Sequence, residues 1–200
     1  MINKSSIEYF FKKILKIAEI NYDEFNSLDG QLGDGDLGIT ISKGLNEINN
    51  NFDKFEEDLG QIFMVCAKSF TKASSSSFGT LVSISFMIIA KETKGTNEIA
   101  IKDLPNIIEK IIEAVCLRGK SKIGDKTFVD TLYEIGKSIE ENNNNFGQNV
   151  HEATLKALKD FKGKECKIGR ARMFAEKSKD LNDPGMFALN KLSTVFITNN

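Results

Sequence analysis

The chain has 200 residues, 40% hydrophobic and 28% charged, a globular composition with enough apolar residues to bury a core. Its 27 basic and 28 acidic residues leave a formal net charge of -1, so no basic excess points to nucleic acid or to an anionic membrane surface. The length predicts a single domain over residues 1–200, two small ones being the upper bound. No stretch approaches the length of a membrane span. Lys12, Lys13 and Lys16 break the first apolar run, which excludes a signal peptide and makes the cytoplasm the expected compartment. Cys66, Cys116 and Cys166 are far apart and read as reduced, partly buried thiols, not as a zinc site. The only histidine, His151, reads as a solvated residue in a polar helix start. That excludes a Ser-His-Asp or Cys-His machine unless His151 is its base.

In chain order, residues 5–21 place Ile7, Phe10, Phe11, Ile14, Leu15, Ile17 and Ala18 on one helical face, with Ser5 or Ser6 as its cap. Residues 28–38 follow, and they carry the strongest chemical signal. Asp29, Asp34 and Asp36 fall within eight residues, among Gly30, Gly33, Gly35 and Gly38. That glycine density argues against a helix interior, and no bulky alternation supports a strand. The stretch predicts a tight loop with three carboxylates turned inward, the oxygen-rich donor set of a hard divalent cation. A phosphate ligand would then bind through the metal. An EF-hand fails on spacing, since its glycine and glutamate positions fall on Ile39 and Leu45, or on Asp34 and Thr40. A P-loop fails because Ile39 stands where its lysine belongs. A polar turn between helices is the other reading.

A second helix is predicted over about 38–50. Asp53 is the expected cap of a third, running through Phe55, Leu59, Ile62, Phe63 and Cys66 to about Phe70. Residues 71–80 are small and polar, and an apolar run from Leu81 to Ile89 starts at once. Two readings stand here. Ser74 to Ser77 form a cap and connector, or they cradle phosphate at a helix start, where amides and the helix dipole favour anions. A fifth helix opens at Asp103-Leu104-Pro105 and continues to Val115. Residues 118–124 read as a basic loop, and residues 124–130 lead into a sixth helix over 132–139. The four asparagines at 142–145 are a turn, and a seventh helix runs over about 149–162. The basic stretch 163–182 is a solvated loop, or a lid whose Arg170 offers directional donors to an anion. Asp183-Pro184-Gly185 opens the last helix. Residues 195–198 have strand propensity but no partner. About eight helices with short connections predict an all-α domain.

Four motifs taken together resemble one family. They are Leu28-Asp29 with Gly33-Asp34-Gly35-Asp36-x-Gly38; Ala73-Ser74 with Phe78-Gly79-Thr80; Gly124-Asp125-Lys126-Thr127-x-x-Asp130; and Gly169-Arg170-Ala171 with Asp183-Pro184-Gly185. Over nearly its whole length the chain resembles the nucleotide-binding L subunit of bacterial dihydroxyacetone kinase and the matching C-terminal domain of single-chain dihydroxyacetone kinases. The resemblance implies an eight-helix antiparallel up-and-down barrel with ADP or ATP and two magnesium ions at one end. Asp29, Asp34 and Asp36 match the metal-binding aspartates. Leu37, Gly38, Ile39 and Thr40 match a phosphate-contacting turn, and Ser74 and Ser75 fall on the phosphate loop. Gly119 and Phe128 match positions near the adenine. Arg170, Asp183, Pro184 and Gly185 match a lid over the nucleotide. The implied partners are a K-type subunit that holds the ketose and a phosphocarrier protein of the phosphotransferase system that recharges ADP; a homodimer is left open. No side chain is implied as nucleophile or base.

The chain departs from that pattern at Leu37, in place of a histidine, at Phe128, in place of a methionine, and at Arg172-Met173, in place of a Ser-Tyr pair. Lys72, Ser75, Ser76 and Ser77 replace a loop richer in glycine. Serine is less permissive of close backbone approach than glycine. The altered loop therefore motivates a rival reading, a non-catalytic regulatory or interaction relative that keeps the barrel. An ATP-dependent kinase domain is the third reading.

Overall fold

The computed structural model describes residues 1–142 and 144–197. Asn143 of the asparagine turn and Thr198 of the candidate strand lie outside them. The helical periodicity of the sequence is realised in α1 (Lys4–Ile20), α2 (Tyr22–Leu32), α3 (Leu37–Asn49), α4 (Leu59–Ala73), α5 (Ser77–Glu92), α6 (Leu104–Gly119), α7 (Phe128–Glu141), α8 (Phe146–Asp160), α9 (Ala175–Asp180) and α10 (Pro184–Ser193). Two very short strands, β1 (Ile2–Asn3) and β2 (Glu98–Ile99), pair antiparallel with Ile2 opposite Ile99.

Eight of these helices form a closed ring. Each packs on the next in the order α1, α3, α4, α5, α6, α7, α8, α10, and α10 returns to α1. The fold is therefore the all-α barrel expected. α2 packs outside the ring's sequence order, on α3 and α10, and α9 packs on the 3-10 turn Arg170–Phe174. Both extra helices stand at the same end of the barrel. The interior is filled by Phe25, Ile41, Ile48, Leu59, Ile62, Phe70 and their neighbours on one side, and by Ile107, Ile111, Val115 and Val129 on the other. Phe78 and Ile89 pack against both groups. Among the described residues no helix is long and apolar enough to cross a membrane.

Several local expectations need correction. Residues 28–32 are the last turns of α2, not loop, so Asp29 and Gly30 are helical. The packing of Phe25 and Leu32 outweighs the weak helix propensity of Gly30. Asp53 belongs to a 3-10 turn. The cap of α4 is Asp58, which accepts from the Gly60 amide at 2.7 Å. Asn3, not Ser5 or Ser6, caps α1, and Ser6 closes the capping box from the third helical position. α7 begins at Phe128, four residues before the expected start, because Thr127 and Asp130 form its capping box. Arg118 and Gly119 end α6 and do not start a loop. Residues 194–196 are a 3-10 turn, in keeping with the lack of a strand partner in the sequence. His151 is half-buried, with its Nδ1 2.8 Å from the Ser193 hydroxyl, and is not simply solvated.

The contact between α3 and α4 is tight enough to test. A Cβ at Gly44 would lie 2.5 Å from the Phe70 ring. Alanine in an ordinary helix interior is worth up to about 1 kcal/mol over glycine. Here Gly44→Ala is expected to destabilise the barrel by about 1–3 kcal/mol through overpacking. Urea unfolding followed by far-UV circular dichroism reads the sign.

Candidate functional site

An up-and-down ring sends alternate helices the same way. At one end of this barrel α3, α5, α7 and α10 all begin, while α2 and α6 end. Helix starts carry unpaired amides and partial positive charge. A cleft of about 1010 Å³ opens among them.

The carboxylates form one wall. Oxygens of Asp29, Asp34 and Asp36 lie within 4.8 Å of one another. Asp29, from the last turns of α2, accepts from the Asp36 amide at 2.9 Å, which folds the 33–36 turn back onto the helix. Gly35 makes that turn possible at φ 75°. Burial pushes the Asp29 carboxyl above its ordinary range, and repulsion from Asp34 and Asp36 adds to the push. Asp36 is raised by burial and by Asp34, and Arg170 opposes this. Three crowded oxygen donors, two of them with their charge disfavoured, fit a hard divalent cation, which would relieve the repulsion.

Residues 168–173 of the basic segment 163–182 also border the cleft. Residues 163–182 leave α8 and return to α10, and the Gly163 amide donates to the Lys179 carbonyl at 3.0 Å to close the loop. An ion pair joins Arg170 to Asp34. Cys166, Ala171 and Leu181 pack with Leu32 in a small apolar cluster of their own.

Of the expected site residues, Asp29, Asp34, Asp36, Leu37, Ser75, Gly119, Phe128, Arg170, Asp183, Pro184 and Gly185 line this one cleft. Gly38, Ile39, Thr40 and Ser74 do not. The amides of Gly38 and Ile39 donate to Asn26 Oδ1 at 2.8 and 3.3 Å. The Thr40 hydroxyl donates to Ser76 Oγ at 2.9 Å and lies 3.1 Å from Ser74 Oγ. These residues form the wall behind the cleft, tying the start of α3 to the serine turn. Gly38 is needed there for close approach, since a Cβ would meet the Tyr22 carbonyl oxygen at 2.4 Å.

The capping role read for the serine turn is present, and the turn also borders the cleft. Ser76 caps α5 by accepting from the Gly79 amide at 3.0 Å, and Ser75 to Phe78 line the cleft at the helix start. Leu81, Val115, Phe128 and Val129 give the lining an apolar part, and Arg118, Lys120 and Arg172 also line it. Asn26 was not legible as a site residue, because its partners are 12 and 13 positions away. Asp130 belongs to a motif the sequence displays. Its carboxylate accepts from the Gly124 and Thr127 amides at 2.6 and 2.8 Å and so shapes the loop before α7.

The fold and site define an all-α barrel with a carboxylate wall, four helix starts and a basic segment around one cleft. The chain belongs to the DAK2 domain family, which matches residues 31–197. It is similar to PEP-dependent dihydroxyacetone kinase 1, ADP-binding subunit DhaL, of Listeria innocua, at 29% identity over 84% of this chain and 82% of that protein. It is also similar to the PTS-dependent dihydroxyacetone kinase, ADP-binding subunit DhaL, of Lactococcus lactis, at 27% identity over 90% and 89%. The crystal structure of dihydroxyacetone kinase from C. freundii in complex with AMP-PNP and Mg2+ shares the fold, with a TM-score of 0.74 at 20% identity. That likeness covers 96% of this chain and 33% of the other, so this chain spans about a third of that protein's length.

Asp183 supplies a pH test of the site. Enclosure at the base of the cleft pushes its carboxyl up to about 7, against its hydrogen bond from the Met186 amide; Asp130 adds to the push and Lys126 opposes it. An unfolded aspartate titrates near 3.9. The folded chain thus holds a proton that the unfolded chain releases, so this contribution is complete below about pH 4 and is lost as pH rises through about 7. Asp183→Asn keeps a good helix cap. It is expected to reduce the loss of stability between pH 5 and pH 8 by about 1 kcal/mol or more, as read by urea unfolding at both values.

Proposed function

We propose that the cleft holds ADP or ATP with magnesium, and that this single domain is the nucleotide-binding subunit of a dihydroxyacetone (short ketose) kinase. The observation that carries the reading is the placement of three clustered carboxylates, four helix starts and Arg170 around one cleft. The relatives named as ADP-binding subunits and the shared fold with a kinase complexed with AMP-PNP and Mg2+ support it.

Asp29, Asp34 and Asp36 are the residues that would hold two magnesium ions. Magnesium held there would supply charge neutralisation for the phosphates and for the transferred phosphoryl group. The chain's own part is positioning. The starts of α5, α7 and α10 offer amides and dipole ends to phosphate oxygens. Arg170 supplies charge-assisted donors from the lid. Phe128, Val129, Leu81 and Gly119 offer the apolar surface for the adenine. The lid excludes water from the transfer, which would otherwise compete with the acceptor.

No cleft residue is a histidine, and the chain's only one, His151, lies in α8 bonded to Ser193. A ketose held covalently by histidine would therefore sit on a partner, a K-type subunit. The relatives named PEP- and PTS-dependent favour a phosphocarrier as the source of phosphate over free ATP.

Denaturing the freshly purified protein is expected to release near-stoichiometric ADP together with magnesium, measured by chromatography and metal analysis. Asp34→Ala is expected to weaken magnesium-dependent ADP binding by about tenfold or more, about 1.4 kcal/mol, with circular dichroism unchanged. Unchanged affinity in that variant would sink the reading. Tight nucleotide binding without turnover in a reconstituted assay would favour the non-catalytic relative.

A further inference from the structure

Lys126 lies beside the cleft but not in its lining. Its side chain is 2% exposed, and its backbone sits at φ 62°, in the left-handed region. Lysine is almost never fully buried without partners, and a non-glycine residue at positive φ needs surroundings that hold it there. The partners here are backbone. Nζ donates to the carbonyls of Lys164, Ser178 and Leu181 at 2.8, 2.6 and 2.8 Å. An ammonium has three N–H donors, so each one is used. Burial pulls the lysine below its ordinary range, and the neighbourhood of Cys166, Asp183 and Asp180 opposes this.

The positions of the acceptors matter more than their number. Lys164 lies where the chain enters the lid, and Ser178 and Leu181 lie where it leaves. One side chain thus gathers both ends of residues 163–182 and fixes them to the loop whose next residues, Thr127 and Phe128, line the cleft. Other bonds converge on the same point. The Lys167 amide donates to the Asp125 carbonyl at 3.1 Å, and Lys167 Nζ to the Gly124 carbonyl at 3.2 Å. The Cys166 amide donates to Ser178 Oγ at 2.9 Å across the lid's base. Arg170 projects from this closed base toward Asp34. Arg172 and Met173, although they border the cleft, are exposed, so packing around them does little to hold the lid.

We propose that Lys126 is the positioning residue of the lid, its ammonium clamping both ends of residues 163–182 so that Arg170 is held over the carboxylates. This rests on reading the cleft as a nucleotide site. Loss of the clamp frees the lid to open without unfolding the barrel, and bound nucleotide then escapes faster.

Lys126→Met keeps most of the side-chain volume and removes all three donors. Trypsin has sites within the lid at Lys164, Lys167, Arg170, Arg172 and Lys177. In the full chain, native-state cleavage at these sites is expected to rise by about tenfold or more, while cleavage elsewhere and helical content change by less than about twofold. Dissociation of ADP in the presence of magnesium is expected to quicken by about fivefold or more, with association little changed. A purely structural lysine would instead lower the fraction of protein that binds and leave the dissociation rate alone. Lid cleavage equal to wild type, or rising in step with cleavage across the barrel, overturns the proposal. If wild type binds no ADP, the nucleotide reading fails while lid cleavage still judges the lysine. Should the variant not fold, hydrogen exchange in wild type decides. The amides of Gly163, Cys166 and Lys167 are expected to show one common protection factor, each rate being divided by its own intrinsic exchange rate, through one opening of the clamp. Protection factors that differ by more than about tenfold would overturn it.

Discussion

The site depends on the direction of helices in a closed ring. When eight helices pack up and down and the last returns to the first, neighbours alternate in direction, and four helix starts must share one end. Each start carries amides without helical partners and a partial positive charge. The chain spends some of these amides on internal caps, from Ser76, Thr127 and Asp183, and in doing so fixes the turns that face the cleft. The attraction for an anion at this end is a property of the ring, and no single residue creates it.

Against that positive background stands the carboxylate wall. Asp29 and Asp36 are partly withdrawn from water and stand against the exposed Asp34, an arrangement that costs stability unless a cation answers it. The two signs of charge come from different parts of the chain. The carboxylates come from the end of α2 and the turn after it, and the lid's cations reach in from the opposite strand of chain, with Arg170 meeting Asp34 between them. A polyanion carried with a divalent cation would answer both charges at once, as the proposed function requires.

The lid is held in a different way from the barrel. The barrel is held by apolar packing, and the lid by a four-residue apolar cluster and a lattice of polar bonds centred on the ammonium of Lys126. Polar bonds at a solvent-facing segment open more readily than a packed core. A segment built this way can move while the ring beneath it stays closed.

The apolar periodicity of α1, α3, α5, α6 and α8 was legible because each helix buries one face and solvates the other, a pattern that needs only local sequence. The grouping of Asp29, Asp34 and Asp36 was legible for the same reason, since the three lie close along the chain. Local reading failed where a distant partner overrode propensity. Gly30 argued against helix, yet burial of Phe25 and Leu32 carries α2 through it. His151 looked solvated, yet Ser193 of α10 meets it. Gly38, Ile39 and Thr40 looked like open donors, yet Asn26 and the serine turn engage them from behind. By itself, then, the sequence determined an all-α chain, the order of its helices and a three-carboxylate cluster, all set by residues near one another in the chain. Only the tertiary structure decided which helix starts share the cleft, which amides remain for a ligand and why a lysine is buried. Those depend on groups brought together from 12 to 55 positions apart.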